Sequence, residues 1–363
     1  MASRKVQTFS DSVRATLRGQ LLGWYDAHAR DLPWRQRPQA TKPRDPYRVW
    51  LSEIMLQQTR VAAVIGHYHE FLRRFPTVEK LARARESSVL AAWSGLGYYR
   101  RARMLHAAAR VVVREGGQFP TNVEGLRALP GVGRYTAAAI ASIAFGQPVA
   151  VVDGNAERVL QRLSGRRLAG EEFWQAAEGL LDRERPGDFN QAMMELGATV
   201  CVPRAPGCLT CPVVELCATR GEMDGMAKAA RQKRREIHYA LDLCDGKVFL
   251  VQRARDASLM AGMWELPEMV GPVLGASKQQ VPPARFASRR NDNQDESDSP
   301  SWFTLKHSIT VTDYTVRVWR TPAPSHAGGK WVPVERLDRV ALTGLARKIL
   351  WKAEIVAGHD KQV

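Results

Sequence analysis

Residues 129–155 read LPGVGRYTAAAIASIAFGQPVAVVDGN, and the folding of this stretch decides what the chain can be. Pro130-Gly131-Val132-Gly133 reads as a glycine hairpin between two helical segments. Without a Cβ, Gly131 and Gly133 can take backbone angles that other residues resist. The amides that open the next helix can then point at a phosphate, aided by the helix dipole. Asp153 ends an apolar run and precedes GNAERV, which reads as a helix start with the aspartate as its cap. A capped aspartate keeps its charge, so Asp153 could also face a cationic intermediate. Tyr135 lies between the hairpin and the acid. A bare G-x-G describes any tight turn; flanking apolar helices in a basic chain make the phosphate grip the better reading.

The chain has 363 residues, which favours two domains, and is 45% hydrophobic, enough for a sizeable core. Its formal net charge of +16 favours a polyanionic partner, nucleic acid above all. No apolar run is long enough to span a bilayer; the longest, Ala137 to Ala144, is interrupted by Ser142. The N-terminus, MASRKVQTFSDSVRATLRGQ, is basic without an apolar core, so no secretory signal is expected and an intracellular location is.

Helical periodicity dominates residues 12–200, with Ala-rich segments such as Leu81–Trp93 and Arg101–Val113 between Gly or Pro breaks. An all-α domain is expected over 1–220, closed by a cysteine cluster at 201–217. A basic linker follows over 221–236, carrying Lys228, Arg231, Lys233, Arg234 and Arg235. The period then changes. Ile237–Leu243 and Lys247–Gln252 read as strands joined at Asp245-Gly246, a hairpin signal. Further strands are expected at Trp302–Thr310 and Tyr314–Arg320, and a closing helix at Glu335–Trp351. Residues 287–301 are too polar to pack and read as a mobile loop. The C-terminal part, 237–357, is thus a smaller α+β domain with a tail at 358–363.

Four of the five cysteines stand in the pattern Cys201-x6-Cys208-x2-Cys211-x5-Cys217. Such crowding without a secretion signal argues for a metal site over disulfides. Four thiolates suit zinc or an iron–sulfur cluster, and spacing alone leaves both open. Cys244 stands apart in a strand and reads as a small core residue. Asp45-Pro46 reads as a capped helix start. On that helix Glu53 has Val49, Trp50, Leu56 and Gln57 at i±3 and i±4. A carboxyl on such a face loses hydration, which raises its pKa toward that of a useful general acid. From periodicity alone, an exposed or ion-paired glutamate is the plainer reading.

The cysteine spacing and LPGVGRYTA resemble the cluster loop and helix-hairpin-helix of the endonuclease III superfamily of DNA glycosylases. SEIMLQQTRV (Ser52–Val61), RDLPWR (Arg30–Arg35), DPYRVW (Asp45–Trp50), GLGYYRRAR (Gly95–Arg103) and VDGN (Val152–Asn155) resemble its A/G-specific, adenine-removing branch. The resemblance implies an all-α helix-hairpin-helix domain with one 4Fe-4S cluster, held by Cys201, Cys208, Cys211 and Cys217 in a structural role. It implies that Glu53 protonates adenine, Asp153 stabilises the sugar cation, and Asn155 orients Asp153 or the substrate. It sets Arg30, Trp34 and Leu56 at the adenine pocket. Gln58 would wedge into the base stack from the segment Gln57-Gln58-Thr59. Tyr98, beside Leu96, would stack on the opposite base, and Gly131 and Gly133 would hold a phosphate. The implied partner is duplex DNA with adenine opposite 8-oxoguanine or guanine, bound by a monomer.

Tyr135 occupies the slot where strand-cleaving members carry a lysine that forms a Schiff base; a phenol cannot form one, so hydrolysis without strand cleavage is expected. Residues 237–356 resemble the Nudix-like domain of adenine glycosylases, through the hairpin, RARDASLMAGMWELPE (Arg253–Glu268) and the later strands. The acidic REXXEE box is absent after Pro267, so pyrophosphate hydrolysis is not expected. The family's Phe-Ser-His lesion-reading motif stands here as Leu305-Lys306-His307-Ser308. His307 fits the pattern, and Ser308 could supply the hydroxyl from a shifted position. Two other functions fit the sequence less well. The QQTRV segment and the appended domain argue against a thymine or uracil mismatch glycosylase. The joint presence of Glu53 and Asp153 argues against a non-catalytic lesion-binding protein.

Overall fold

The computed structural model describes residues 9–35, 44–223, 233–257, 259–269, 301–309 and 312–356. Most of the expected linker, nearly all of the expected mobile loop and the tail at 358–363 lie outside the described residues. The chain divides into two compact units, Met1–Lys228 and Ala229–Val363. Among the described residues, no helix is long and apolar enough to cross a membrane.

The first unit is helical: α1 Asp11–His28, α2 Pro46–Leu56, α3 Val61–Arg74, α4 Val78–Arg83, α5 Glu86–Trp93, α6 Arg100–Arg114, α7 Val123–Arg127, α8 Arg134–Phe145, α9 Gly154–Ser164, α10 Glu171–Leu180 and α11 Pro186–Thr199. Helix α2 starts as its sequence dictates: the Asp45 carboxylate accepts the Tyr47 amide at 2.9 Å, and Pro46 takes the first turn. The segment Leu81–Trp93 is two helices, because Ala84 and Arg85 are extended between α4 and α5.

Helix α8 is buried along nearly its whole length, from Thr136 to Ala144. Its alanines let α2, α7 and α11 pack closely around it. Gly131 in the preceding hairpin has φ +75°, and a Cβ there would lie 2.5 Å from Met104 Cβ, so this position requires glycine. Gly133 differs from the expectation: it is the extended N-cap of α8, with open space where a Cβ would be. A second core, of Leu17, Leu21, Val159, Leu163, Phe189 and Leu196, ties together α1, α9 and α11. Cys201, Cys211 and Cys217 pack on its edge.

The second unit holds β1 Lys233–Ala240, β2 Leu243–Cys244, β3 Lys247–Gln252, β4 Trp264–Glu265, β5 Glu268–Met269, β6 Phe303–Ile309, β7 Thr312–Trp319, β8 Gly329–Pro333 and α12 Gly344–Lys352. One sheet has the order β5-β1-β7-β6; β1 and β7 run parallel, β6 and β7 antiparallel. The other is β2-β3-β4, with β8 also paired to β3. Val248, Leu250, Val316, Val318 and Ile349 fill the core of this unit.

Three expectations need correction here. Ile237–Leu243 is not one strand: β1 stops at Ala240, and the turn at Asp245 and Gly246, both at positive φ, joins β2 to β3 in the other sheet. Glu335–Trp351 is not one helix: a 3-10 turn over Val334–Arg339 gives way to extended backbone at Val340, and α12 restarts under a Thr343 cap. Cys244 is exposed, not a core residue, because it ends a two-residue strand at the hairpin tip.

Helices α8 and α11 meet at Gly187, where an added Cβ would lie 2.6 Å from the Ser142 carbonyl oxygen and 2.8 Å from Ile143 Cα. Backbone cannot yield as a side-chain tip can. Gly187→Ala is therefore expected to cost about 1–3 kcal/mol through overpacking, read as a lowered thermal or urea midpoint.

Candidate active site

A cleft of about 820 Å³ opens in the first unit. It gathers Arg30 and Trp34 from the segment after α1, Glu53 to Thr59 in part from α2 and its end, Tyr135 from α8, and Asp153 and Asn155 from the start of α9. Segments more than a hundred residues apart in sequence thus meet. Leu96, Tyr98, Gly131 and Gly133 lie elsewhere in the same unit and do not line the cleft. Leu96 is buried, whereas Tyr98 is 45% exposed.

Glu53 is buried at 7% exposure, against the exposed or ion-paired glutamate that periodicity alone favours. Burial pushes its pKa up to about 7; Asp153 adds to the rise, while the Tyr135 hydroxyl and Arg35 oppose it. Tyr135 donates to Glu53 Oε2 at 2.8 Å. Its own pKa is raised well above the phenol range by burial and by the two carboxylates, so it remains a neutral donor.

Asp153 is both a cap and a cleft residue. Its Oδ1 accepts the Ala156 amide at 2.7 Å and its Oδ2 accepts Asn155 Nδ2 at 3.1 Å. Burial nonetheless raises its pKa against those bonds, so the expectation that capping alone keeps the charge is too simple. Asn155 is held in turn by Arg158, whose Nη2 donates to Asn155 Oδ1 at 2.8 Å and to the Gly197 carbonyl at 2.6 Å. Arg158 Nε reaches the Cys201 carbonyl at 2.8 Å.

Sequence reasoning missed the acid that orders the cleft's far wall. Glu195 on α11 is 1% exposed and accepts from Arg30 at 2.6 and 2.7 Å and from Arg35 at 2.7 Å. Burial works to raise its pKa, yet the two guanidinium groups hold it down at about 2. Met194, one residue before, lies 3.4 Å from the Tyr135 hydroxyl. The two arginines of RDLPWR were the available signal, since cations beside a pocket need an anion, but nothing in spacing points 160 residues ahead. Gln57 is fixed to α8 by its bond to Thr136 Oγ1 at 3.2 Å. Gln58 is exposed and left-handed at φ 53°, an unusual conformation for a non-glycine residue.

The four cysteines of the 201–217 loop are free and partly buried. Among the described residues, no group of three or more His, Cys, Asp or Glu side chains is arranged to hold a single metal ion. The donor chemistry around the sulfurs nonetheless suits ligated thiolates. Arg162 Nη1 lies 3.4 Å from Cys201 Sγ, the Arg220 amide points at Cys217 Sγ from 3.5 Å, and the other three sulfurs lie near enough to Cys211 to add to the rise that burial gives its pKa.

In the second unit His307 and Ser308 fall on opposite faces of β6, as strand alternation requires. His307 is half-buried, and burial together with Lys348 lowers its pKa. Ser308 shares the exposed face with Lys306 and Thr304 and donates to Asp313 Oδ1 at 2.6 Å.

Residues 51–173 match the family described as HhH-GPD superfamily base excision DNA repair protein. The adenine DNA glycosylase of Schizosaccharomyces pombe is 33% identical over 315 residues, which are 69% of this chain and 68% of that protein. The chain belongs to the adenine DNA glycosylase family. The human adenine DNA glycosylase is 51% identical over 227 residues, 60% of this chain and 42% of the human one. A solved thermostable thymine-DNA glycosylase is 32% identical with a TM-score of 0.53, matching 58% of this chain and 98% of its own. The chain spans only 42% to 62% of the length of its human, mouse, rat and plant family relatives.

The Glu53 pKa carries a stability consequence for this adenine glycosylase relative. It rises from an ordinary 4.5 to about 7 on folding, so the folded state binds the extra proton between those values. The protonated carboxyl favours folding below the lower value, and that contribution is lost as pH climbs through the upper one. Thermal melts of wild type and Glu53→Gln are expected to diverge as pH rises from 5 to 8, the glutamine form gaining. A difference that stays constant, or moves in favour of wild type, would show that burial does not control this group.

Proposed function

We propose that this chain is a monofunctional adenine DNA glycosylase, hydrolysing the N-glycosidic bond of adenine opposite 8-oxoguanine or guanine and leaving an abasic site. The observation that carries the reading is Glu53: a buried carboxyl with a pKa of about 7, touched by a tyrosine hydroxyl and sharing a cleft with a capped aspartate. At neutral pH such an acid is partly protonated and can give up that proton.

The adenine must leave the duplex to enter the cleft. Trp34 and Leu56 offer its apolar walls, and Arg30 is held in place by Glu195. Glu53 transfers its proton to a ring nitrogen of the base. The C1′–N bond then breaks with its electron pair moving to the base, and positive charge spreads over C1′ and the ring oxygen of the sugar. The Asp153 carboxylate, oriented by Asn155 and the Ala156 amide, stabilises that charge. Water adds its oxygen to C1′ and returns a proton to the Glu53 carboxylate. Tyr135 holds Glu53 by donating to it and offers no amine for a Schiff base, so the strand stays whole. Gly131, Gly133 and the open α8 terminus would take a phosphate, with Gln58 and Tyr98 entering the base stack from either side.

Cys201, Cys208, Cys211 and Cys217 would hold a 4Fe-4S cluster, whose contribution is to cross-link the loop and not to cleave bonds. The second unit would be the Nudix-like domain that reads the lesion, with His307 and Ser308 as candidates on two faces of one strand. Action as an intracellular monomer completes the proposal.

Duplexes carrying A, T or U opposite G or 8-oxoguanine, incubated with protein and then treated with alkali, test the reading. Breaks at adenine alone are expected. Breaks at thymine or uracil would move the chain to a mismatch glycosylase. Tight binding with no breaks would make it a lesion-binding protein. Glu53→Gln and Asp153→Asn are each expected to slow excision by about 10²–10⁴-fold. Borohydride should trap no substantial covalent complex with the wild type.

A further inference from the structure

Two loops that the proposed function sends into DNA meet at one side chain outside the catalytic cleft. Arg101, in the first turn of α6, donates to six neutral oxygens. Its Nη1 reaches the carbonyls of Ile54 and Met55 at 2.9 Å each, and that of Gln57. Its Nη2 reaches Thr59 Oγ1 at 3.0 Å, the Leu96 carbonyl at 3.1 Å and the Gly97 carbonyl at 3.4 Å. The guanidinium also lies 5.5 Å from the Trp93 ring centroid and 5.3 Å from that of Tyr98. Burial among these groups lowers its pKa to about 10, which still leaves it charged at neutral pH.

The geometry has a physical logic. The last carbonyls of α2 lack intrahelical donors, and a cation at a helix C-terminus satisfies them and complements the dipole. The chain then turns through Gln58 at φ 53°, while the partner loop turns through Tyr98 at φ 47°. A left-handed backbone is strained at a non-glycine residue, and it persists only where its surroundings fix it. Both side chains are exposed, and the same guanidinium holds the backbone beside each.

We propose that Arg101 is a positioning residue that locks Gln58 and Tyr98 into one rigid pair of wedges, so that unstacking of the duplex from the two loops is a single event. The proposal rests on the adenine glycosylase reading for its substrate. It assigns Arg101 to base extrusion and not to bond cleavage. Lysine has three donors from one point and cannot span six acceptors across two loops, so it should substitute only in part.

The test uses the full-length holoprotein with Arg101→Gln and Arg101→Lys. Single-turnover excision is measured on adenine opposite 8-oxoguanine in a duplex, and on the same adenine inside an unpaired bubble that needs no unstacking. Arg101→Gln should lose on the order of 10²-fold on the duplex, the scale of a small misplacement, and stay within about threefold on the bubble, with Arg101→Lys between it and wild type. Equal loss on both substrates, as a general folding defect would give, or no loss on either, overturns the proposal. A second arm needs no chemistry. In a Glu53→Gln background, a fluorescent base analogue beside the mismatch reports unstacking on binding. The rise seen with Arg101 intact should vanish with Arg101→Gln; a rise that survives overturns the proposal whatever the rates. Wild type that leaves adenine untouched in both contexts would sink the glycosylase reading, and the fluorescence pair would still decide the role of Arg101.

Discussion

Because α8 presents methyl groups where most helices present larger side chains, three helices can close on it at once. The setting of Glu53 in the cleft depends on that approach. Helix α2 comes near enough for Tyr135, one residue into α8, to touch Glu53. Helix α11 comes near enough to bring Met194 to the same hydroxyl and Glu195 to the opposite wall. The packing also removes the water that would keep Glu53 at an ordinary pKa. A single larger residue in the middle of α8 would separate the acid from its partner and rehydrate it. Core packing and acid strength are here the same interaction described at two levels.

Four carboxylates line the cleft, Glu157 among them, and the surroundings of Glu53, Asp153 and Glu195 differ sharply. Glu195 is ringed by two guanidinium groups and stays ionised far below neutrality. Glu53 has one neutral donor and a dry setting, so its pKa is pushed up to about 7. Asp153 is raised by burial, while an amide, an asparagine and Arg158 pull it back. Burial raises both Glu53 and Asp153, and the charge of Asp153 adds to the rise at Glu53. In the proposed reaction Glu53 is the acid, because Asp153 has more bonds that favour its anion.

Much of this was legible in the sequence, and the division has a physical basis. Local signals transmit well: the Asp45-Pro46 cap, the Asp153 cap and the glycine at positive φ all act within one turn of chain. The Asp245-Gly246 turn was equally plain, but which strand it joined was not, since a turn fixes its own angles and not how far the strand behind it extends. The Glu195 clamp was invisible because 160 residues separate its partners. The expected closing helix failed at Val340 to Leu342, where extended backbone pairs with Trp264 through bonds from β4 that no local pattern records. Ser308 is instructive in another way. With His307 in register the motif's serine slot is Lys306, so Ser308 stands two residues on and keeps to the same exposed face, because every second residue shares a face. Its hydroxyl is already given to Asp313.

Helix α9 joins the two chemically distinct ends of the helical unit. At its start stand Asp153 and Asn155; along its length Arg158 and Arg162 reach the cysteine loop through the carbonyls of Cys201, Val202 and Pro203. Arg158 touches both ends, with Asn155 on one side and Cys201 on the other. Gly197 of α11 seals the contact, because a Cβ there would lie 2.7 Å from that of Asn155. These carbonyls belong to a loop with little regular structure of its own, only short 3-10 turns at Cys208–Thr210 and Val214–Leu216. Val213, Cys201, Cys211 and Cys217 pin the loop to the core of α1, α9 and α11. On the proposed reading, a group bound by the four thiolates would cross-link it further and help to fix Asn155 and the Asp153 carboxylate without taking part in any bond that breaks.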